Sequence, residues 1–334
     1  MSLNTTERYQ KRILNDIREL YSDPVEGIYV VPDDERITIL HALIVGPKDT
    51  PYESGFFYFL ITYPEKYPLV PPKVKLMTTG NGSVRFNPNL YACGKVCLSI
   101  IGTWQGPGWT SVMTTKSVLI SIQSLMNEKP FYNEPGFEKQ ESRYVNESKR
   151  YNERITYEKL RVAVIDMTEK SLSDSFSMPH VLREVVVKLF CDHYSSYEKM
   201  IADNMSLNGT VVKDKFAFHT AKAAAATFDY KALDKRLAEV RAKIKLEENM
   251  ADQLYESLRT AHRKVKEGED GDERGVMCCP NDLFAPDEEP EAVDLDDEDS
   301  QDVAVLETVK DDDEEEEDDD VQIIEEQSSP SGAK

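Results

Sequence analysis

The stretch RFNPNLYACGKVCLSI, from Arg85 to Ile100, holds the residues best suited to chemistry. Cys97 follows Gly94 by three residues and Asn89 by eight, and Asn89 closes an Asn87-Pro88-Asn89 turn. A thiolate is an effective nucleophile for acyl exchange, provided that it is exposed enough to meet its donor. The attacked acyl carbon develops a negative oxygen, which a side-chain amide held nearby can stabilise. Asn89 suits that task because Pro88 restrains the turn that presents it. Taken alone, the pair leaves a plainer alternative open: a single cysteine is ordinarily a small buried hydrophobe, and Asn-Pro turns are common. Cys93 raises the further question of zinc. A tetrahedral site takes about four ligands, and neither a His nor a second Cys pair lies near in sequence, so no metal site is expected. The Gly-x-x-Cys-Leu frame and the spacing from Asn89 favour Cys97 over Cys93 as nucleophile. Cys191 reads as structural, and Cys278-Cys279 fall in an acidic segment where metal capture has no support. No Gly-x-x-x-x-Gly-Lys-Ser/Thr phosphate loop is present, so no cofactor is expected to be bound.

The elements that must position this segment follow from periodicity. Residues 5–21 read as an amphipathic helix, with Ile13, Leu14, Ile17, Leu20 and Tyr21 at helical spacing and Asn4 with Glu7 as its cap. Arg8, Lys11, Arg12 and Arg18 lie largely off that face, as a solvated surface or a docking face. IYVV, ITILHALIV, GFFYFLIT and VKLM are short β-rich runs divided by turn signals, which suggests an antiparallel meander over 27–77. The run YPLVPPKV cannot be a central strand, because its prolines lack ladder donors. Residues 80–110 are expected to form a long ordered loop. Helices are then expected near 114–127, 147–168, 179–205 and 228–266. The third opens with Pro179 in its first turn and has Leu182, Val185, Val186, Leu189, His193 and Tyr197 inward, His193 as a core or boundary residue. In the last helix Leu233, Leu237, Val240, Ile244, Ala251, Leu254, Leu258, Ala261 and Val265 follow a 4-3 spacing, suited to packing on the body or to self-association. The fold class expected is α+β: a helix, a four-stranded antiparallel meander, a catalytic loop and further helices.

The net charge of −22 is unevenly divided. Residues 267–334 hold 29 acidic and 3 basic side chains, leaving 33 acidic and 37 basic on the first 266. The body is near-neutral, and the tail has a composition that cannot build a core and reads as disordered. The organisation expected is a catalytic domain over 5–170, a helical extension over 171–266 and an acidic tail over 267–334. Charges at the N-terminus break any secretory apolar run, and nothing approaches the ~18 apolar residues of a membrane span. An odd, irregularly spaced set of five cysteines is no disulfide framework. A monomer of the cytoplasm and nucleus, with no nucleic-acid or membrane partner, is the expectation.

The order of these features resembles the ubiquitin-conjugating family. The landmarks are Gly46-Pro47, Thr50-Pro51-Tyr52-Glu53, Tyr67 to Val74, Asn87-Pro88-Asn89, Gly94 to Leu98 and Trp109. GTWQGPGW inserts residues between the Cys and the usual Trp, and the helices after residue 145 are similar to those of an atypical subgroup. The resemblance implies that Cys97 takes ubiquitin, or a ubiquitin-like modifier, from an activating enzyme as a thioester and passes it to a substrate lysine. ATP is consumed by the activating enzyme. Asn89 would stabilise the oxyanion or hold the loop that does so. Glu134, in Tyr132-Asn133-Glu134-Pro135, would orient or deprotonate the lysine in preference to Asn133, because only a carboxylate accepts a proton. Arg8, Lys11 and Arg12 would face the activating enzyme, and the subgroup implies a non-standard one and a tandem ubiquitin-like modifier.

Some positions depart from the family. Asn87 replaces the usual His, Leu69 the usual Phe, and Thr110-Ser111-Val112 the usual turn after Trp. Leu69, Ser111 and Val112 would form the surface offered to ligases, and their change puts standard ring-type ligases in question. In the tail, DVQIIEE carries Val321, Ile323 and Ile324 as a short β-prone run among acids, which fits strand addition to a small modifier or incidental apolar spots. The alternatives to an enzyme are a non-catalytic binding module on the same fold and an interaction protein led by the acidic tail.

Overall fold

In the computed structural model the described residues are 5–137, 139–211, 227–246 and 249–250, with side chains from Tyr9 onward. They all fall within one compact unit, Met1–Asp270. The Asn4–Glu7 cap, the side chain of Arg8, the helical positions from Ala251 to Val265, Cys278-Cys279, and Val321, Ile323 and Ile324 lie outside them.

Helix α1 (Thr5–Ser22) buries Ile13, Ile17 and Leu20 at i, i+4 and i+7. Leu14 and Tyr21, expected on the same face, stand at its margins and are exposed. Four strands follow, β1 (Ile28–Pro32), β2 (Ile39–Val45), β3 (Phe56–Thr62) and β4 (Lys73–Leu76), paired in the antiparallel order β1-β2-β3-β4. The register is set by pairs such as Ala42 with Phe59 and Ile61 with Val74.

The sheet is covered on both faces, which accounts for the near-continuous apolar text of β2 and β3. Leu40, Ala42 and Ile44 of β2, with Phe57, Phe59 and Ile61 of β3, face a core shared with α1 and with Val118, Leu119 and Ile122 of α2 (Thr115–Leu125). Alternate residues Leu43, Phe56 and Tyr58 face a second core made by the C-terminal helices.

That second core corrects two expected helices. The segment expected as a helix over 147–168 is α3 (Val145–Glu158), a π-helical stretch Lys159–Asp166, and α4 (Met167–Ser171). Leu160, Val162, Ala163, Val164 and Ile165 are all buried, so most of the stretch is enclosed and its amphipathic face is weak. The expected helix over 179–205 is broken at His193 (φ −101°, ψ 7°) into α5 (His180–Asp192) and α6 (Tyr194–Asp203). Pro179 precedes its first turn instead of occupying it. The break shifts the phase: Leu182, Val186 and Phe190 are buried in α5, then Tyr197 and Ile201 in α6, while Val185 and Leu189 are only partly covered. A helix over 230–246 returns to the body through Leu233, Leu237, Val240 and Ile244. Arg236 ties it down, 2.8 Å from Asp166 and 2.6 Å from Glu169. Among the described residues no helix is long and apolar enough to cross a membrane.

Candidate active site

The loop carrying Cys97 is fastened to the end of β4. Gly94 adopts φ +92° and lies so close to that strand that a Cβ would meet the Leu76 carbonyl oxygen at 2.5 Å. The Leu76 amide donates to the Gly94 carbonyl at 2.9 Å, and Leu90 bridges Val96 within the loop. Behind the loop, fully buried Asn87 acts as a peg. Its Nδ2 donates to the Tyr52 hydroxyl (2.9 Å) and to the Leu125 carbonyl (2.8 Å), and its Oδ1 accepts the Asn89 amide (3.0 Å). Tyr52 in turn donates to the Phe86 carbonyl at 2.7 Å, and its burial holds the phenol protonated. An amide can serve three partners from one buried position, which explains how Asn87 replaces an imidazole there.

Asn89 and Cys97 are bound reciprocally. The Cys97 amide donates to the Asn89 carbonyl at 2.8 Å, and Asn89 Nδ2 donates to the Cys97 carbonyl at 2.9 Å. Asn89 Oδ1 is buried with no hydrogen-bond partner. Contrary to the exposure expected of a nucleophile, Cys97 is 2% accessible. The Tyr91 phenol lies near enough to the thiol for the two to interact electrostatically.

Two residues that sequence reasoning missed organise the space around the thiol. Burial raises the Tyr91 phenol above its ordinary value; the Arg85 cation opposes that shift, and the Cys97 and Glu134 charges reinforce it. The Arg85 guanidinium lies 4.1 Å from the centre of the Tyr91 ring, a cation–π distance. Arg85 also donates to the Pro88 carbonyl (2.5 Å) and the Asn87 carbonyl (3.3 Å), and sits 3.5 Å from the Glu134 carboxylate. A cation inside a β-prone run, two residues before the Asn-Pro-Asn turn, was the available signal.

Asn133 and Glu134 point in different directions. Asn133 turns inward, donating to the Leu125 carbonyl (2.9 Å) and to Asn87 Oδ1 (3.4 Å) and accepting from Asn127 (2.9 Å). The Glu134 side chain remains 29% exposed on the Arg85 side. The insert beyond Cys97 is anchored by Thr103, whose hydroxyl donates to the Val96 carbonyl (2.6 Å) and accepts the Leu98 amide (2.9 Å). Gly102 turns the chain in the left-handed region (φ +73°), and Trp104 stands exposed.

The other candidate residues lie at the α1 end. Arg12 is half-buried and bonded to Asp16 (2.8 Å) and to the Ser111 (2.7 Å) and Met113 (2.6 Å) carbonyls, which leaves it engaged inward, whereas Lys11 is exposed. Asp16 also accepts from Tyr67 and from the Thr115 amide (2.9 Å). Trp109 donates to the Pro68 carbonyl (2.7 Å), and Leu69 (79%) and Val112 (84%) are bare beside it. Among the described residues no group of three or more His, Cys, Asp or Glu could hold a metal ion. A cavity of about 910 Å³ is lined by Gly27, Gly46, Lys48, Gln123 and His193, without Cys97.

A helix, a four-stranded antiparallel meander and an Asn-anchored cysteine loop define a known class. Residues 12–159 match the model of the ubiquitin-conjugating enzyme family, and the chain belongs to that family. It is 49% identical over 233 residues to ubiquitin-conjugating enzyme E2 Z of Homo sapiens, covering 70% of this chain and 63% of that protein. It is 48% identical over 234 residues to the Xenopus tropicalis protein of the same name, covering 70% and 71%. Probable ubiquitin-conjugating enzyme protein 17 of Caenorhabditis elegans is 43% identical over 171 residues, covering 49% of this chain and 24% of that one. The chain thus spans under two thirds of the length of the human relative.

Proposed function

We propose that the chain accepts ubiquitin or a ubiquitin-like modifier from an activating enzyme as a thioester on Cys97 and transfers it to substrate lysines, alone or with a ligase. The observation that carries this reading is the reciprocal bonding of Asn89 and Cys97, which holds the nucleophile's backbone in one place. With Nδ2 on the Cys97 carbonyl, Asn89 supports the loop first, and the second Nδ2 proton is left for a developing oxyanion. Glu134, on the exposed side of Arg85, receives the proton of the attacking amine, and Asn133 serves as scaffold.

The 5–170 body carries this chemistry, the described helices of the 171–266 extension cover the far face of the sheet, and the acidic tail over 267–334 is an appendage whose Val321, Ile323 and Ile324 engage a modifier. Lys11, with Arg8, meets the activating enzyme, a non-standard one, and Arg12 shapes that surface from behind. Leu69, Ser111 and Val112 are the ligase surface, with partner choice altered by the absence of the usual Phe and of the usual turn after Trp. The protein acts as a monomer in the cytoplasm and nucleus.

Incubation with an activating enzyme, ATP and ubiquitin tests this. The expected product is an adduct labile to thiol reductant, absent in Cys97→Ala and reductant-stable in Cys97→Ser. A labile adduct surviving in Cys97→Ala would sink the site assignment. No adduct with any activating enzyme would favour a non-catalytic binding module, a reading to which the burial of Cys97 lends weight.

A further inference from the structure

Arg85 touches three parts of the site at once. Its side chain is 10% exposed. From that position it reaches the two carbonyls that precede Asn89, the face of Tyr91 and the carboxylate of Glu134. A guanidinium can do this because its planar fork offers donors in its plane and a flat face for stacking. The stacked ring belongs to the side chain whose phenol interacts electrostatically with the Cys97 thiol.

We propose that Arg85 is a positioning residue for the transfer step: it holds the Tyr91 ring against Cys97 and the Glu134 carboxylate beside it, and so shapes the slot that an acceptor amine enters. The inference rests on the reading of Cys97 as thioester carrier and Glu134 as proton acceptor. In that step the amine nitrogen forms a C–N bond to the acyl carbon, the C–S bond breaks, and Cys97 leaves as thiolate. The surplus amine proton passes to the Glu134 carboxylate.

Arg85 touches none of the reacting atoms, so its effect has a distinct signature. A loose Glu134 slows attack by the amine. A loose Tyr91 uncovers the thiol, so acquisition of the modifier is not slowed. A residue that merely kept the fold intact would depress both steps together.

The experiment measures both half-reactions on the full chain. Loading is followed with an activating enzyme, ATP and ubiquitin, and discharge by single-turnover transfer to free lysine over a range of pH and lysine concentration. Arg85→Gln is expected to load at or above the wild-type rate and to discharge about tenfold more slowly at saturating lysine. Its discharge profile should rise with pH, as solution deprotonation of lysine replaces the positioned carboxylate. In a Glu134→Gln background, Arg85→Gln should add less than twofold, because both substitutions disable one unit. Should Arg85→Gln melt below the assay temperature, Arg85→Lys carries the same cycle; it keeps the charge but not the flat stack, and an intermediate discharge rate is expected.

Multiplicative effects in the double variant, or equal slowing of loading and discharge in a folded single variant, would overturn the assignment while leaving the thioester reading intact. Failure of the wild-type chain to form any reductant-labile adduct would remove both together.

Discussion

The two faces of the sheet bury polar groups in opposite ways. On the face toward α2, the polar groups behind the loop meet partners suited to them: Asn87 with Tyr52 and Leu125, Tyr52 with Phe86. On the face toward the C-terminal helices, fully buried Lys159 donates to the Glu53 carbonyl at 3.0 Å and to the Met200 sulfur at 2.7 Å, neither of them a carboxylate. Burial lowers its pKa to about 7. The first arrangement fixes a geometry that chemistry needs. The second tolerates a titrating ammonium because the surrounding aliphatic and aromatic packing, from Leu160 to Phe190 and Leu237, supplies the cohesion. Position is the product of one face and cohesion the product of the other.

The sharpest way to test that contrast is to damage the cohesive face. Phe190→Ala, at a site with no exposed surface, is expected to lower unfolding free energy by about 3–5 kcal/mol. The folded fraction should still form the Cys97 thioester; denaturant melts with gel assays of loading check both. If loading disappeared from a protein still folded, the faces would not be separable.

Lys159 gives the next largest effect, and its sign follows from proton counting. The unfolded lysine keeps its proton up to its ordinary value near 10.4, whereas the folded one releases it near 7. Between these values the unfolded chain binds more protons, so stability rises with pH. Urea melts between pH 7 and 10 should therefore show a slope, worth on the order of a few kcal/mol, that Lys159→Met lacks. Parallel curves for the two proteins would mean that the ammonium finds a charge partner after all.

Asn87→Ala tests the positional face and is expected to lower stability least, by about 1–3 kcal/mol, through the Asn89 amide left without its acceptor. Its larger consequence should be kinetic: discharge to lysine slowed about tenfold in protein that still melts cooperatively. A stability loss with unchanged discharge would make Asn87 ordinary packing.

What the sequence made legible divides along the same line. The loop could be read because its geometry depends on residues with few substitutes: a proline that fixes φ, a glycine lying on Leu76, and amides at set intervals from Cys97. The meander could be read from turn signals and β-rich runs. The C-terminal helices were found, but their breaks were not, since Lys159–Asp166 is buried through most of its length, including Lys159, and a break at His193 needs neither Gly nor Pro. Arg85 and Tyr91 escaped because cation–π stacking joins side chains six residues apart through the shape of a loop, and periodicity carries no trace of it. Arg12 was read as a docking group, although its guanidinium reaches carbonyls about a hundred residues away.

A sheet roofed on both sides also governs how such a molecule can acquire new partners. Neither broad face is open to a visitor, so the surface left bare lies along the perimeter: the outer flank of α1, the exposed Leu69 and Val112, and the Trp104 insert. Thr103 knots the base of that insert to both neighbours of Cys97, so residues beyond the knot can lengthen, shorten or change without shifting the sulfur. Change at the perimeter is thus uncoupled from the placement of the Cys97 loop.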